Sequence, residues 1–120
     1  MILGRGEEPI SGVAMEDEVT RRAKEKFGRL SSIGQMAASM MLANLRNARD
    51  AKKQLREMMK EGRDFRSLPP LIRLIMGTVA TLPGEEALRY LDRVERECLE
   101  GLRSLGFTDE EIERLIELRR

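Results

Sequence analysis

Six basic residues recur at helical spacing in the middle of this 120-residue chain, and their side chains are its clearest candidates for chemistry. Steps of three and four residues place them in one row on a helix, with one cation about every 5.4 Å. Arginine binds phosphate oxygens in a bidentate manner, so such a row can follow a nucleic-acid backbone. The row, here called the basic ridge, consists of Arg46, Arg49, Lys53, Arg56, Lys60 and Arg63.

Acidic residues lie close to the ridge on the same helix. Asp50, Glu57 and Glu61 are three or four residues from ridge members, so local ion pairs can neutralise part of the row. A solvated, salt-bridged helix face is therefore an equally good interpretation. The chain has three Phe, one Tyr and no Trp, which leaves few side chains for base stacking. Any nucleic-acid contact is expected to involve the backbone and to be non-sequence-specific.

The residue types needed for most catalysis and metal binding are missing. The chain has no histidine, which is the commonest general base and metal ligand, and its one cysteine cannot build a thiolate zinc site. Cys98 lies among Glu95, Glu97 and Glu100, which disfavour a thiolate, so we expect it to be a buried small hydrophobe. The sequence predicts a non-enzyme with no catalytic residue, metal or cofactor, although an Arg/Glu-based enzyme stays an alternative.

Hydrophobic periodicity predicts an all-α protein, a compact bundle of about five helices forming one domain over residues 15–120. Residues 1–14 contain three glycines and show no helical period, so we expect a flexible N-terminal arm. The first helix is predicted to begin near Met15 and stop at Gly28. A long helix over about 32–62 carries the ridge, and Ser32 with Gln35 is predicted to form its capping box.

A third, strongly apolar helix is predicted over about 68–82, with Pro69 and Pro70 in its first turn. It is apolar on nearly every face, which a helix tolerates when protein surrounds it. We therefore expect it to be buried, either as the central element of the bundle or at an oligomer interface. It is shorter than the roughly 20 residues that span a bilayer, so no membrane partner is expected.

The connection between the last two helices carries the most specific local signal. Gly106 is placed as a C-terminal cap, and Phe107 can fold back onto Leu102. Thr108 and Glu111 match a capping box for the last helix, which is predicted from Asp109 to about Arg119. This pattern predicts a tight turn that fastens two helix ends.

Charge is segregated along the chain although the net charge is only +1. Residues 19–75 hold fourteen basic and five acidic groups, while residues 76–120 hold seven and eleven. The acidic C-terminal third of one copy can therefore meet the ridge of the next, and this head-to-tail contact would form rings or filaments. A homo-oligomer, or a subunit of a larger complex, is expected.

Two short segments resemble known families. The segment Leu102–Leu118 resembles the helix-Gly-Phe-Ser/Thr-x-x-Glu-Ile-helix segment of MerR-type regulators, but the winged helix-turn-helix that precedes it in that family is not apparent in this sequence. The segment Arg66–Leu74 resembles small helical subunits of CRISPR effector complexes, which stack along guide and target strands, although the Asn-Gly-Leu pattern that follows there is missing.

These observations favour a non-enzymatic helical accessory or structural subunit that self-associates and contacts a nucleic-acid backbone through the basic ridge. The alternative is a protein–protein interaction adaptor with no nucleic-acid binding, in which the ridge is merely solvated. A single cysteine fits a reducing compartment, so the expected location is the cytoplasm.

Overall fold

The structure is a computed structural model that describes residues 16–119, and the predicted arm over residues 1–14 lies outside them. The described chain forms five α-helices and no strand, which confirms the predicted all-α bundle. Two 3₁₀ turns, Phe65–Ser67 and Gly77–Thr81, flank the third helix. The helices are α1 (Glu18–Arg29), α2 (Ser32–Lys60), α3 (Pro70–Met76), α4 (Gly84–Ser104) and α5 (Asp109–Leu118).

The first two helices are joined differently from the prediction. Helix α1 runs past Gly28 to Arg29, and the predicted start at Met15 lies outside the described residues. The cap of α2 is Ser31, whose hydroxyl oxygen accepts a 3.0 Å hydrogen bond from the Gly34 N–H. The predicted capping box of Ser32 and Gln35 is therefore wrong. The Gln35 side chain instead donates to the Leu30 carbonyl at 3.3 Å, because that carbonyl at the end of α1 needs a donor.

Helix α2 packs antiparallel against α4 and sets the length of the molecule, which measures 59 × 34 × 23 Å. One hydrophobic cluster joins the N-terminal half of α2 to α1, α5 and the end of α4, and it includes Leu42, Leu102 and Ile112. A second cluster joins the C-terminal half of α2 to the 3₁₀ turns and the start of α4, and it includes Leu55 and Phe65. The two clusters line up along α2, so the bundle is elongated.

The predicted apolar helix over 68–82 is neither continuous nor buried. Gly77 adopts a φ of +75° and ends α3, after which the chain continues as a 3₁₀ turn. Val79 and Ala80 of that turn are buried, but α3 has no buried residue. The interpretation of this helix as the central element of the bundle is therefore wrong, because its α-helical part is only the seven residues Pro70–Met76 and none of them is buried.

The turn between α4 and α5 matches its prediction. Gly106 has a φ of +104°, and the N–H groups of Gly106 and Phe107 donate to the carbonyls of Arg103 and Leu102. This is a Schellman motif. Thr108 and Glu111 exchange both hydrogen bonds of a capping box. Phe107 is buried in the first cluster, so one turn holds α5 against α4 and α1.

Candidate functional site

The N-terminal half of the basic ridge is engaged within the bundle. The Arg49 Nε donates to Glu95 at 2.9 Å, and its two Nη atoms donate to both oxygens of Glu113 at 2.8 and 2.7 Å. These bonds raise the pKa of Arg49 further above its ordinary value. Arg49 is only 28% exposed and joins α2 to both α4 and α5. It is therefore not available to an outside polyanion.

Lys52 takes part in the same contact, and the sequence analysis missed it. Its ammonium group lies 2.7 Å from Glu95 and also pairs with Asp92, while its side chain is 14% exposed. The hydrogen bonds that Lys52 donates to Asp92 and Glu95 raise its pKa. Lys52 falls outside the ridge spacing, and only the antiparallel packing of α4 brings its partners near. Arg49, Lys52, Asp92, Glu95 and Glu113 form a charged clamp.

Arg46 is also drawn toward the bundle, at the end of the ridge near α5. Its Nη1 donates to the carbonyl oxygen of Arg119 at 3.2 Å. Arg46 and Arg119 border a cleft of about 240 Å³ whose floor contains Leu42 and Ile116. The guanidinium group therefore ties α2 to the end of α5.

The C-terminal half of the ridge stays at the surface. Lys53 and Arg56 are exposed, and the charge of Arg56 adds to the effect of Lys52 in lowering the pKa of Asp92. Lys60 pairs with Glu57 at 3.0 Å and Arg63 pairs with Glu61 at 2.6 Å, in both cases with exposed partners. Such pairs contribute at most about 1 kcal/mol, so they yield easily to a stronger anion. The structure therefore divides the six predicted residues into two engaged cations and four accessible ones.

A second surface is formed by large apolar side chains that face solvent, and it includes residues of the predicted apolar helix for which an oligomer interface was one of the two expectations. We call it the apolar face. Its members on α2 and α3 are between 44% and 80% exposed. They supply seven of the eight large hydrophobic side chains that are exposed in the described chain, and Leu118 is the eighth. The apolar face consists of Ile33, Met36, Met40, Leu71, Ile72, Leu74 and Ile75.

The apolar face coincides with the two stretches of the chain that carry almost no charge. Residues 30–45 contain no charged residue, and residues 67–84 contain only Arg73, in a chain that is 36% charged. Charged side chains normally cover an exposed helix surface, and their depletion is typical of the cores of protein interfaces. Composition and exposure therefore identify the same surface.

An open groove continues the apolar face between α2 and α4. It has a volume of about 620 Å³, and Ile75 and Met76 at the end of α3 overhang it. Along α2, residues Ile33, Met36, Met40, Asn44, Asn47 and Ala51 follow one another at steps of three or four, so they form one row. This row lies on the side of α2 roughly opposite the basic ridge. The groove is lined by Asn44, Asn47, Ala48, Ala51, Ile75, Met76, Val79, Tyr90, Leu91 and Val94.

The remaining candidates for chemistry lie apart from both surfaces. Cys98 is buried, and burial together with the Glu97 charge raises the pKa of its thiol. The prediction of a buried small hydrophobe is confirmed. Within residues 16–119 no cluster of three or more acidic or cysteine side chains has metal-binding geometry. No helix of that range is long and apolar enough to cross a membrane.

No family model matches this chain, and no curated protein or solved structure is significantly similar to it. The basic ridge and the apolar face are therefore the features from which a function can be proposed.

Proposed function

We propose that this protein is a non-catalytic helical subunit that self-associates through the apolar face. The observation that carries the proposal is the group of seven large apolar side chains, 44–80% exposed, in charge-depleted stretches of α2 and α3. A monomer gains nothing from exposing them. Removing apolar surface from water contributes about 25 cal/mol per Å², so association relieves a cost that the fold leaves in place.

Size also supports the proposal. Seven large side chains at these exposures provide apolar area on the order of the ~800 Å² per partner that a standard stable interface buries. The four α3 members are 44–78% exposed, and the three α2 members form a strip of two Met and one Ile that is 60–80% exposed. Methionine adapts to irregular partner shapes, which suits the strip to receive a helix of the partner.

Sedimentation equilibrium of the purified protein tests self-association. We expect the wild type to associate as its concentration rises, and Leu74→Glu to stay monomeric because it places a charge in the apolar face. The matched control is Leu118→Glu, which adds the same charge at a 51% exposed leucine outside that face and is expected to associate like the wild type. A wild type that is monomeric at every soluble concentration overturns the proposal.

Contact with a nucleic-acid backbone is a second candidate function, and the accessible half of the ridge favours it. Lys53, Arg56 and Lys60 lie in the last turns of α2 and Arg63 lies just beyond its end, and the local pairs of Lys60 and Arg63 are exposed and weak. Phosphate contacts of this kind release counterions, so their affinity falls steeply with salt.

Binding of generic single- and double-stranded oligonucleotides at several salt concentrations tests this second function. The variant carrying Lys53→Glu and Arg56→Glu is expected to lose salt-dependent binding. A charge-matched variant with Arg21→Glu and Lys24→Glu, which reverses two exposed cations of α1, is expected to retain it. Arg49 is left unchanged because its reversal breaks the clamp. Equal losses of binding in both variants would show that overall charge, and not the ridge, is responsible. If the wild type does not bind, this second function is excluded and self-association is the only one of the two that remains.

A further inference from the structure

We infer that the protein forms a closed two-fold dimer in which α2 crosses α2 of a second copy in antiparallel orientation at Asn44. This inference rests on the proposed self-association and adds its partner geometry and its stoichiometry. In this arrangement α3 of each copy covers the Met36–Met40 strip of the other. The apolar face is distributed along α2 in a way that favours this geometry.

The two halves of the apolar face lie on opposite sides of Asn44. Ile33, Met36 and Met40 precede Asn44 on its row by 11, 8 and 4 residues. On the other side, Asn47 and Ala51 line the groove together with Ile75 and Met76 of α3. The chain leaves α2 at Lys60 and enters α3 at Pro70, so α3 lies alongside the second half of α2.

A two-fold axis at Asn44 places each half of the apolar face against the opposite half of the same face on the partner. Met40 of one copy then faces position 48 of the partner's α2, and Ala48 lines the same groove as Ile75. At 1.5 Å per residue, Met36 is about 12 Å from the axis and Ala51 about 10.5 Å, so the halves match in extent. Each α3 therefore lies over the other copy's strip of Ile33, Met36 and Met40.

The shapes of the two halves make this pairing reciprocal. One half is a short helix with four exposed branched side chains, and the other is a strip of α2 with two exposed methionines and Ile33. Because both lie on the same side of the molecule, one two-fold contact covers both at once, and nothing remains to bind a third copy. A head-to-tail stack needs its two surfaces on different sides, which the apolar face does not provide.

The charged clamp removes the main electrostatic reason for a head-to-tail stack. Arg49 and Lys52 already bind Glu95, Glu113 and Asp92 of their own chain. The ridge and the acidic third are therefore partly satisfied within one copy. At the proposed axis, Asn44 is exposed and each amide can both donate to and accept from its symmetry mate. A central amide pair of this kind fixes register in helix pairs.

Position-specific disulfide crosslinking tests the arrangement in the full-length protein, in a Cys98→Ala background. A disulfide needs Cα atoms within about 7 Å, so Asn44→Cys is expected to oxidise to a covalent dimer. Met40→Cys should not crosslink alone, since by helical rise it lies about 12 Å from its own mate. Ile75→Cys should not crosslink alone either, since each Ile75 lies over the other copy's strip and not over its own mate. A mixture of those two variants should give a crosslinked heterodimer. Lys53→Cys, on the ridge side, is the negative control.

Stoichiometry separates this inference from the proposed function. The wild type is expected to stop at two copies as its concentration rises, and circular dichroism of each cysteine variant checks that it folds. Growth beyond two copies, or association without the crosslink at position 44, overturns the closed dimer while self-association stands. A monomer at every concentration overturns both. Efficient crosslinking at position 53 contradicts the assignment of the interface.

Discussion

The two sides of α2 differ in whether their side chains find partners within the bundle. On the ridge side, cations of the basic middle segment meet carboxylates of the acidic C-terminal segment, and Arg49 alone makes three hydrogen bonds to Glu95 and Glu113. On the other side, Met36 and Met40 are 65% and 60% exposed. Charge segregation along the chain is thus largely resolved within one copy, whereas the apolar segregation is not.

This contrast changes the meaning of the ridge. A row of cations suggests a polyanion partner, but the clamp converts part of it into structural contacts between helices. The surface without an internal partner is the apolar one, and it points to association with protein. Three predictions test the difference between the two sides.

The largest effect on stability is expected from breaking the clamp. Arg49→Ala removes the donor for Glu95 and Glu113 and leaves two partly exposed carboxylates without it, so we expect a loss of about 2 kcal/mol in the free energy of unfolding. Urea denaturation of the variant measures this loss. Lys53→Ala, one turn further along the ridge and exposed, is the control and should change the value by less than about 0.5 kcal/mol. Equal effects at both positions would remove the distinction between the two ridge halves.

Acid is expected to weaken the charged contacts before it affects the apolar face. Asp17 accepts hydrogen bonds from Thr20 and Arg114, and these bonds lower its pKa to about 2. Burial alone would raise the pKa of Glu95, but the hydrogen bonds that it accepts from Lys52 and Arg49 outweigh burial and lower it. A carboxylate whose pKa is lowered in the folded state stabilises the fold at pH values above its pKa in the unfolded chain. That contribution is lost as the pH falls from about 4.5 toward 2.

Thermal unfolding between pH 7 and pH 2 measures this dependence. The midpoint should be nearly constant from pH 7 to about 5 and should fall below that. Asp17→Asn is expected to flatten the decline at the acid end, since it removes one titrating group with a lowered native pKa. A midpoint that rises on acidification contradicts the sign of these pKa shifts.

The smallest effect on stability is expected on the apolar side. Leu74 is among the most exposed residues of the apolar face, so Leu74→Ser should change the unfolding free energy of the monomer by less than about 0.5 kcal/mol. Denaturation at a concentration low enough to keep the protein monomeric isolates this value. A substantial loss of monomer stability would show that α3 packs onto its own chain, and the contrast between the two sides would disappear.

Local signals predicted the local structure well. The glycine cap and capping box around Gly106 and Thr108 depend on residues a few positions apart, and the structure forms both as expected. The cap of α2 was misassigned by one residue because Ser31 and Ser32 are both capable caps. The choice between them depends on where the chain leaves α1, which neighbouring residues do not specify.

The candidate sites were predicted less completely, for a different reason. Five of the ridge residues share a face of α2 as their spacing requires, but Arg63 lies beyond the end of that helix, after Gly62 with its φ of +75°. Spacing also contains no information about which side of that face α4 and α5 will cover. Lys52 was missed because its partners Asp92 and Glu95 are about 40 residues away in the chain. The apolar residues of α3 were expected to be buried because a monomer normally buries so apolar a segment.

The amino-acid sequence by itself determined the helical class, the turn between α4 and α5 and the separation of charge along the chain. These properties depend on interactions between residues a few positions apart, whose relative positions follow directly from their spacing in the sequence. Only the tertiary structure decided which cations bind carboxylates and which apolar side chains stay in contact with water. Those outcomes depend on the antiparallel packing of α2 against α4 and on the break at Gly77, which turns α3 outward while Val79 and Ala80 turn in.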